Sequence, residues 1–299
     1  LSSRVKIVQL VKSWLAPLFK HEVSIWIHRL NLVATVLVFI HVILINYVVA
    51  IKPFMFWFYL YSGLTLVSYI WSKYQNWVRN SNASLTNNVG IADNVRELEL
   101  QPSSKISALP GDYIFVSFPT IKGLSELHPF SLVNSPTDSS KLILAIRGDG
   151  DFTRSLDQVQ PGTPAKVTGG YGRYQPFLTE HSGYQNMVII AGGIGVVPLL
   201  SIIDSHPDDN IQLFYTAHRQ SDLLYPEKLA DWQKRPTFRL FQQVGRFQDA
   251  EVVRQLPKDG QDNTIFLLGG PSKMTRHWRR VLLRNGASSG QIYAEEFDW

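Results

Sequence analysis

Two long stretches without charged side chains constrain this fold more than any other feature of the sequence. Residues 30–51 contain no Asp, Glu, Lys or Arg, and residues 53–72 contain none either. Each stretch is about as long as an α-helix must be to cross a hydrocarbon core of roughly 30 Å. We therefore expect residues 21–80 to form a transmembrane helical hairpin that turns at Lys52 and Pro53. The alternative is a pair of buried helices in a large soluble protein.

The cations around this hairpin indicate its orientation. One lysine, Lys52, lies at the predicted tip, and four cations flank the open side: Lys12, Lys20, Lys73 and Arg79. Because positive charge stays on the cytoplasmic side, both ends and everything after residue 80 are predicted to be cytoplasmic, in a multi-pass protein of the plasma membrane. Residues 1–20 are basic with apolar residues near the helical period, which predicts a cytoplasmic amphipathic segment.

Two histidines, His28 and His41, lie in the first predicted span. An ionisable residue at membrane depth indicates a functional site. Thirteen residues at about 1.5 Å each separate them by roughly 20 Å along the helix, a rise that suits two stacked haem irons bound by neutral imidazoles. Steps of about 100° leave the rings about 140° apart, so a π-bulge or haems on different flanks would be needed. The alternative is a pair of polar residues bonded to neighbouring helices.

Composition excludes several other chemistries. The chain has no cysteine, which excludes disulfides, thiolate metal sites and cysteine nucleophiles. Its net charge is +5, but the lysines and arginines are dispersed without a basic stripe and interleaved aromatics. This pattern argues against nucleic acid as a partner.

Residues 81–180 contain short apolar runs separated by Gly and Pro turns, which is typical of a small antiparallel β-barrel. The expected strands are residues 95–100, 113–118, 130–133, 142–146 and 165–168. The polar residues 80–88 are expected to form a linker ahead of this barrel.

Within the predicted barrel, Pro129 and Pro136 bracket a short extended segment, because proline fixes φ and biases its predecessor away from helix. Extended backbone places Phe130 and Ser131 on opposite faces. One face then offers an aromatic ring and the other a hydroxyl, which are groups that could hold a flat ring system such as a flavin. The alternative is an ordinary strand entering a turn.

A second candidate ligand-binding segment follows at residues 147–156. Its glycines, including Gly150, let the backbone approach a phosphate, and a helix beginning near Asp151 or Thr153 would direct free N–H groups at it. Arg147 adds a planar cation that suits a pyrophosphate. The alternative is a glycine-rich hairpin turn with a solvated arginine.

Residues 181–299 change to strands alternating with helices, which predicts an α/β doubly wound domain. A continuous apolar strand, 187–191, leads into a glycine turn and then a helix from Leu199. The turn contains Gly192, Gly193, Ile194, Gly195 and Pro198. Strand, glycine turn and helix form the phosphate-binding arrangement of such sheets, although the spacing here is not GxGxxG.

Three further turns follow predicted strands, at the carboxyl ends where such sheets bind ligands. The strands are residues 211–216, 238–244 and 264–268. Arg219 follows the first, where a ribose would lie, and could take a 2′-phosphate, which favours NADPH over NADH. Arg246 follows the second, and the third leads into a basic helix through Gly269, Gly270 and Pro271.

With these residues in view, the chain resembles the superfamily of NADPH oxidases and transmembrane ferric reductases, and its cytoplasmic half is similar to ferredoxin–NADP⁺ reductases. The resemblance covers nearly all of residues 20–299. The flavin motif that it implies is His128, Pro129, Phe130 and Ser131. It further implies that Phe130 packs on the isoalloxazine and that the Ser131 hydroxyl lies near the reactive N5. The residues that it implies for the FAD pyrophosphate are Arg147, Gly150 and Thr153.

The same resemblance assigns roles in the nucleotide half. Residues 192–198 match the nicotinamide-nucleotide glycine turn, with Val197 where the family commonly has threonine. The Gly269-Gly270-Pro271 turn matches a Cys-Gly-Pro motif in which glycine replaces the cysteine, so hydride transfer would depend on positioning. Trp299 resembles the terminal aromatic that covers the flavin, with Phe297 as the second candidate. The catalytic pair that it implies is Ser131 and Trp299.

The resemblance also implies a complete function. His28 and His41 match one of the family's two haem-binding helices, and the other helix would lie upstream. Electrons would pass from NADPH, or alternatively NADH, through FAD and two haem b groups to oxygen, producing superoxide. A ferric-chelate reductase and a haem-free, membrane-anchored flavin reductase that feeds a partner protein are the alternatives.

Overall fold

The computed structural model describes residues 21–135, 141–257 and 263–296, with the backbone alone for residues 21–29 and 75–79. The chain divides into two compact units, residues 1–75 and 76–299. The helices that begin the described chain are α1, His21–Leu44; α2, Asn46–Val49; and α3, Lys52–Arg79.

Helix α1 ends earlier than the uncharged stretch 30–51 predicts. Ile45 has extended backbone, with φ −91° and ψ 99°, between α1 and α2. Most residues from 42 to 49 are β-branched, which lowers helix propensity because χ1 freedom is lost against the preceding turn. The described backbone of α1 is α-helical throughout, without a π-bulge between His28 and His41.

Apolar side chains on these helices are exposed. Leu37 is 60% exposed and Trp57 is 53% exposed. By length and composition, one helix among the described residues, Lys52–Tyr74, is sufficient to cross a membrane, and Leu30–Leu44 is a shorter apolar helix.

The second unit begins with an antiparallel sheet whose strand order is β4–β3–β6–β1–β2–β5 among the described residues. The strands are β1, Ser81–Ala92; β2, Val95–Pro102; β3, Tyr113–Ser117; β4, His128–Ser131; β5, Leu142–Arg147; and β6, Pro164–Tyr171. Leu132, directly after β4, forms a bridge with Leu144 in β5. The two edge strands therefore meet, and the predicted antiparallel β-barrel is confirmed.

The linker expected at residues 80–88 is wrong, because most of it lies in β1. Ala83 and Leu85 both pack in the barrel core. They are two residues apart, so an extended strand places both side chains on the same face. Asn88, which a linker would leave in solvent, donates its amide to the carbonyl oxygens of Leu156 and Val159 at 2.8 and 2.7 Å. The polar composition of the stretch concealed a strand that is paired on both sides.

A parallel sheet follows, with the order β11–β10–β7–β8–β9 among the described residues. Its strands are β7, Asn186–Gly192; β8, Asn210–Ala217; β9, Phe238–Val244; β10, Thr264–Gly270; and β11, Ile292–Glu296. The remaining helices are α4, Asp151–Arg154; α5, Tyr174–Glu180; α6, Val197–Ser205; α7, Pro226–Trp232; α8, Asp249–Gln255; and α9, Ser272–Arg284. The predicted α/β doubly wound domain is therefore confirmed, with β11 as an additional strand.

The central strand β7 is buried on both faces. Met187 and Ile189 pack in a core that includes α6, whereas Val188 and Ile190 pack in a core that includes α8 and α9. Parallel strands covered by helices on both sides have continuous apolar sequences for this reason. The strand order reverses beside β7, because β8 and β9 lie on one side of it and β10 and β11 on the other.

Candidate functional site

The two segments predicted to hold a flavin contact each other. Strand β4 pairs with β3, so that His128 and Phe130 face one way and Pro129 and Ser131 the other. The rings of His128 and Phe130 lie 4.1 and 5.9 Å from the ring of Phe152, in α4. The 128–131 strand and the glycine-rich loop at 147–156 therefore form one surface.

An aromatic group that sequence reasoning missed lies beside Ser131. Tyr113 and Phe115 in β3 pair with Ser131 and Pro129 across the strands, and Tyr113 also pairs with Tyr171 in β6. The three aromatic rings are 5.7 to 5.8 Å apart and none is fully buried. A half-exposed aromatic face next to a hydroxyl fits a planar ring system with polar edges. The available signal was the Tyr-x-Phe alternation in β3.

The candidate pyrophosphate loop has the local structure that its glycines predict. Helix α4 begins at Asp151, as expected, and the Gly150 amide donates to Thr153 Oγ1 at 2.9 Å. Arg147, the last residue of β5, donates from Nε to Asp149 Oδ2 at 2.6 Å. The Arg147 side chain is 40% exposed, so its guanidinium remains accessible to an anion.

Glycines at the ends of β7 and β10 let two backbones approach closely. A Cβ atom on Gly195 would lie 2.5 Å from the Cα of Gly270, and one on Gly192 would lie 2.5 Å from Met274 Sδ. A Cβ atom on Gly269 would collide with the Gly195 carbonyl oxygen and with Leu199. Glycine rather than cysteine at position 269 is therefore a steric requirement of this packing. The carboxyl ends of β7 and β10, which are called the crevice below, lie where the strand order reverses, and such sheets bind ligands there.

The barrel contributes a cation to the same crevice. Gly193, in the turn after β7, has φ +53°, and the nearest atom to a Cβ built on it is Arg147 Nη1 at 4.0 Å. A positive φ of this kind is readily adopted by glycine. The structure thus brings together Arg147, predicted to hold a pyrophosphate, and the turn predicted to bind a nucleotide.

The two arginines predicted at strand ends differ in their surroundings. Arg219 donates to Asp222 from Nε and Nη2, at 3.1 and 3.0 Å, and to Asp93 from Nη1 at 3.1 Å. Arg246, which follows β9, is exposed and forms no hydrogen bond or ion pair with the described residues. Both lie at the predicted edge of the sheet, but only Arg219 is linked to the barrel.

Two buried residues, Asp112 and Tyr174, and two half-buried ones, Tyr293 and Glu295, lie in or near the edge strand β11. The Tyr293 hydroxyl donates to Glu295 Oε1 at 3.1 Å. Burial raises the pKa of Glu295 to about 7, with a smaller opposing effect from that hydrogen bond and a further increase from Asp112. Burial also raises the pKa of Asp112 and that of Tyr174, whose hydroxyl has no partner among the described residues. A proton on Glu295 is therefore favoured close to neutral pH.

This raised pKa predicts a pH-dependent stability. Between the ordinary value of 4.5 and the folded value of about 7, the folded chain holds a proton on Glu295 that the unfolded chain has released. The free energy of unfolding should therefore fall as pH rises through this window, by about 3 kcal/mol. Glu295→Gln should remove that fall. Urea unfolding at pH 5, 6, 7 and 8, followed by tryptophan fluorescence, measures it. Parallel curves for both proteins would contradict the assignment.

Several predicted site residues lie outside the described part of the structure. Phe297 and Trp299 are among these, and of His28 the backbone alone is described. His41 is exposed on α1. Among the described residues, no group of three or more His, Cys, Asp or Glu side chains is suited to holding a metal ion.

Comparison with known proteins agrees with this geometry. A family model for an FAD-binding domain matches residues 76–191. The sulfhydrogenase 2 gamma subunit of Pyrococcus furiosus is 30% identical over 210 residues, covering 62% of this chain and 70% of that protein. Mouse NADPH oxidase 1 is 30% identical over 192 residues, but the match spans only 30% of its length against 62% of this chain.

A solved structure is similar over both sheets. The ferredoxin NADP⁺ reductase of Neisseria gonorrhoeae, determined with bound FAD and NADP, matches with a TM-score of 0.63. The match covers 73% of this chain and 98% of that structure at 16% identity. At this identity the likeness establishes the fold of the second unit.

Proposed function

The chain belongs to the ferredoxin–NADP⁺ reductase-like flavoenzymes of the NADPH oxidase and ferric reductase type, and on that basis we propose that it is a transmembrane NADPH oxidase. Membership makes it an NAD(P)H-dependent flavin oxidoreductase. We further propose that electrons pass from NADPH through FAD and two haems, and that they reduce oxygen to superoxide.

The observation that carries the proposal is the order of parts along the chain. Helix α3 ends at Arg79, and the first strand of the FAD-binding barrel begins at Ser81. Between Leu30 and Tyr74, where the side chains of these helices are described, most large apolar side chains are exposed. Exposed apolar surface of this extent suits lipid rather than water. It supports the predicted hairpin in the plasma membrane, with the two cofactor-binding domains in the cytoplasm.

In this proposal the barrel holds the flavin. The aromatic face of Tyr113, Phe115 and Tyr171 would contact the ring system beside Ser131, and Arg147 would bind the pyrophosphate over the Gly150–Thr153 turn. Bound FAD would supply the conversion between two-electron and one-electron transfer. The predicted terminal cover of the ring is Trp299 or Phe297.

The α/β domain binds the coenzyme. Main-chain N–H groups of the turn from Gly192 to Gly195 would bind its phosphates, because a glycine turn ahead of a helix exposes unpaired donors. Gly269 and Gly270 keep the crevice free of side chains, with Pro271 ending the turn. Arg219 would neutralise the 2′-phosphate, and Arg246 adds positive charge at the same edge.

We assign the two haems to α1. Neutral imidazole is a common axial ligand of haem iron, and His28 and His41 are separated by about 20 Å along the helix axis. An uninterrupted α-helix supports haems on different flanks of α1. Helix α3 contains no histidine, so the second axial ligand of each haem is proposed to come from a helix outside this hairpin.

The test is spectroscopic and kinetic. The full-length protein in detergent should show bis-histidine haem bands in a reduced-minus-oxidised spectrum and should release superoxide with NADPH. His41→Ala should lose about half of the haem and nearly all superoxide release, yet still reduce an artificial acceptor. His206→Ala is the matched control, because His206 bonds to the Ile202 carbonyl oxygen at the end of α6.

The outcomes separate the alternatives. Absence of haem bands would exclude the proposed route and leave a flavin reductase that feeds a partner protein. Haem bands with anaerobic reduction of ferric chelates, and no superoxide in air, would identify a ferric-chelate reductase instead.

A further inference from the structure

A two-residue turn of the barrel contacts both predicted ligand loops. Asp93 and Asn94 join β1 to β2. The Asn94 carbonyl oxygen accepts from the Gly148 amide at 2.9 Å, and the Asn94 side-chain amide donates back to the Gly148 carbonyl oxygen at 3.3 Å. On its other side, Asp93 Oδ2 accepts from Arg219 Nη1 at 3.1 Å. The turn thus links the pyrophosphate loop of the barrel to the nucleotide domain.

Three of the five N–H donors of Arg219 are bonded to carboxylates in this arrangement. One edge of its guanidinium is held by Asp222, three residues along the chain, and a third donor is held by Asp93. The side chains of Arg219 and Asp93 are 61% and 64% exposed. Exposed ion pairs contribute little net stability, so Asp93 can be displaced by a stronger anion.

We propose that Asp93 competes with the 2′-phosphate of NADPH for Arg219, so that a barrel residue sets the coenzyme preference of the nucleotide domain. The inference rests on the proposed role of Arg219 as the 2′-phosphate ligand. A phosphate bound to the free edge of the guanidinium takes the donor that Asp93 now holds, and it meets the negative charge of that carboxylate. NADH lacks this phosphate and leaves the ion pair intact.

The proposal predicts a gain in affinity for one adenine nucleotide and no change for another. In Asp93→Asn, adenosine 2′,5′-bisphosphate should bind about threefold to tenfold more tightly than in the wild type, because one exposed ion pair and one like-charge contact are removed. Binding of 5′-AMP should stay within about twofold. Isothermal titration of the FAD-loaded full chain measures both constants. An unchanged constant for the bisphosphate would overturn the proposal.

The chain offers a matched control in a second bond between the barrel and the nucleotide domain. The Tyr225 hydroxyl donates to Glu97 Oε2 at 2.6 Å, whereas the hydrogen bonds of Arg219 go to Asp222 and Asp93. Tyr225→Phe removes this bond and should leave both nucleotide affinities unchanged. An equal gain in Tyr225→Phe would mean that loosening the two domains, rather than freeing Arg219, is responsible, and would overturn the proposal.

Arg219→Ala separates failure of this inference from failure of the proposed function. If Arg219 binds the 2′-phosphate, this variant should lose most of the preference for the bisphosphate over 5′-AMP, and adding Asp93→Asn to it should have no effect. A retained preference would refute the role of Arg219, and the inference with it. If Arg219→Ala loses the preference but Asp93→Asn in the otherwise wild-type chain leaves the bisphosphate affinity unchanged, the inference alone is refuted.

Discussion

Replacing Gly195 by alanine is expected to abolish NAD(P)H binding and to lower the free energy of unfolding by about 3 kcal/mol. A Cβ atom at this position would lie 2.5 Å from the Cα of Gly270 and 2.6 Å from the carbonyl carbon of Gly269. Both are main-chain atoms, so no side-chain rotation can relieve the overlap. The turns after β7 and β10 must separate, and the crevice loses its shape. Titration with NADPH and urea unfolding measure the two effects.

Gly183→Ala is the control for this prediction. Gly183 precedes β7 in the same domain, and a Cβ atom built on it has no neighbour within 4 Å. The Gly183→Ala substitution should change the free energy of unfolding by less than about 0.5 kcal/mol and should leave the Kd for NADPH unchanged. A Gly195→Ala protein that binds NADPH with wild-type affinity would show that the coenzyme lies elsewhere.

The second large effect is expected at the flavin. Arg147→Ala should weaken FAD binding about 30-fold to 100-fold, because charge-assisted hydrogen bonds from a guanidinium to a pyrophosphate contribute about 2–3 kcal/mol. Arg147→Lys should give an intermediate loss, since the charge remains but the planar fork does not. Flavin fluorescence titration of the apoprotein gives the Kd, and flavin retained after gel filtration gives an independent reading.

Arg154→Ala tests whether the loss at Arg147 is specific. Arg154 belongs to the same loop and donates to the Asp149 carbonyl oxygen at 2.7 Å, but its side chain is 65% exposed. The FAD affinity of the Arg154→Ala protein should differ from that of the wild type by less than about threefold. Equal losses in the two variants would indicate that the loop has lost its fold, and the pyrophosphate role of Arg147 would have to be withdrawn.

Much of the fold follows from periodicity, and the failures have a common cause. The apolar run of β7 and the glycine turn after it are local signals, and the structure places both as predicted. Strand β1 was missed because its polar residues are satisfied by partners far along the chain, as with Asn88 and Leu156. Strand β11 was missed because a short, polar edge strand is defined by its pairing with β10 rather than by its own sequence.

The candidate site was predictable to a similar depth. Glycines and arginines at strand ends predict the two candidate phosphate-binding loops, because the chemistry of these residues is visible in the sequence itself. The partners of Arg219 were not predictable, since Asp93 is 126 positions away and in another domain. The glycine at position 269 could likewise not be explained from the sequence. In the folded chain the Gly195 carbonyl oxygen would collide with a Cβ atom at this position.

The burial of β7 on both faces has a consequence for motion. Its side chains are fixed in two separate cores, so the glycine turn that it carries cannot shift on its own without disturbing packing on both sides of the sheet. A movement that brings a nicotinamide towards a flavin must therefore rotate the whole α/β domain as a rigid body. The hinge is expected in the connection between β6 and β7, on either side of α5. Hydrogen exchange should then show slow opening in β7 and faster exchange in residues 172–173 and 181–185, on either side of α5.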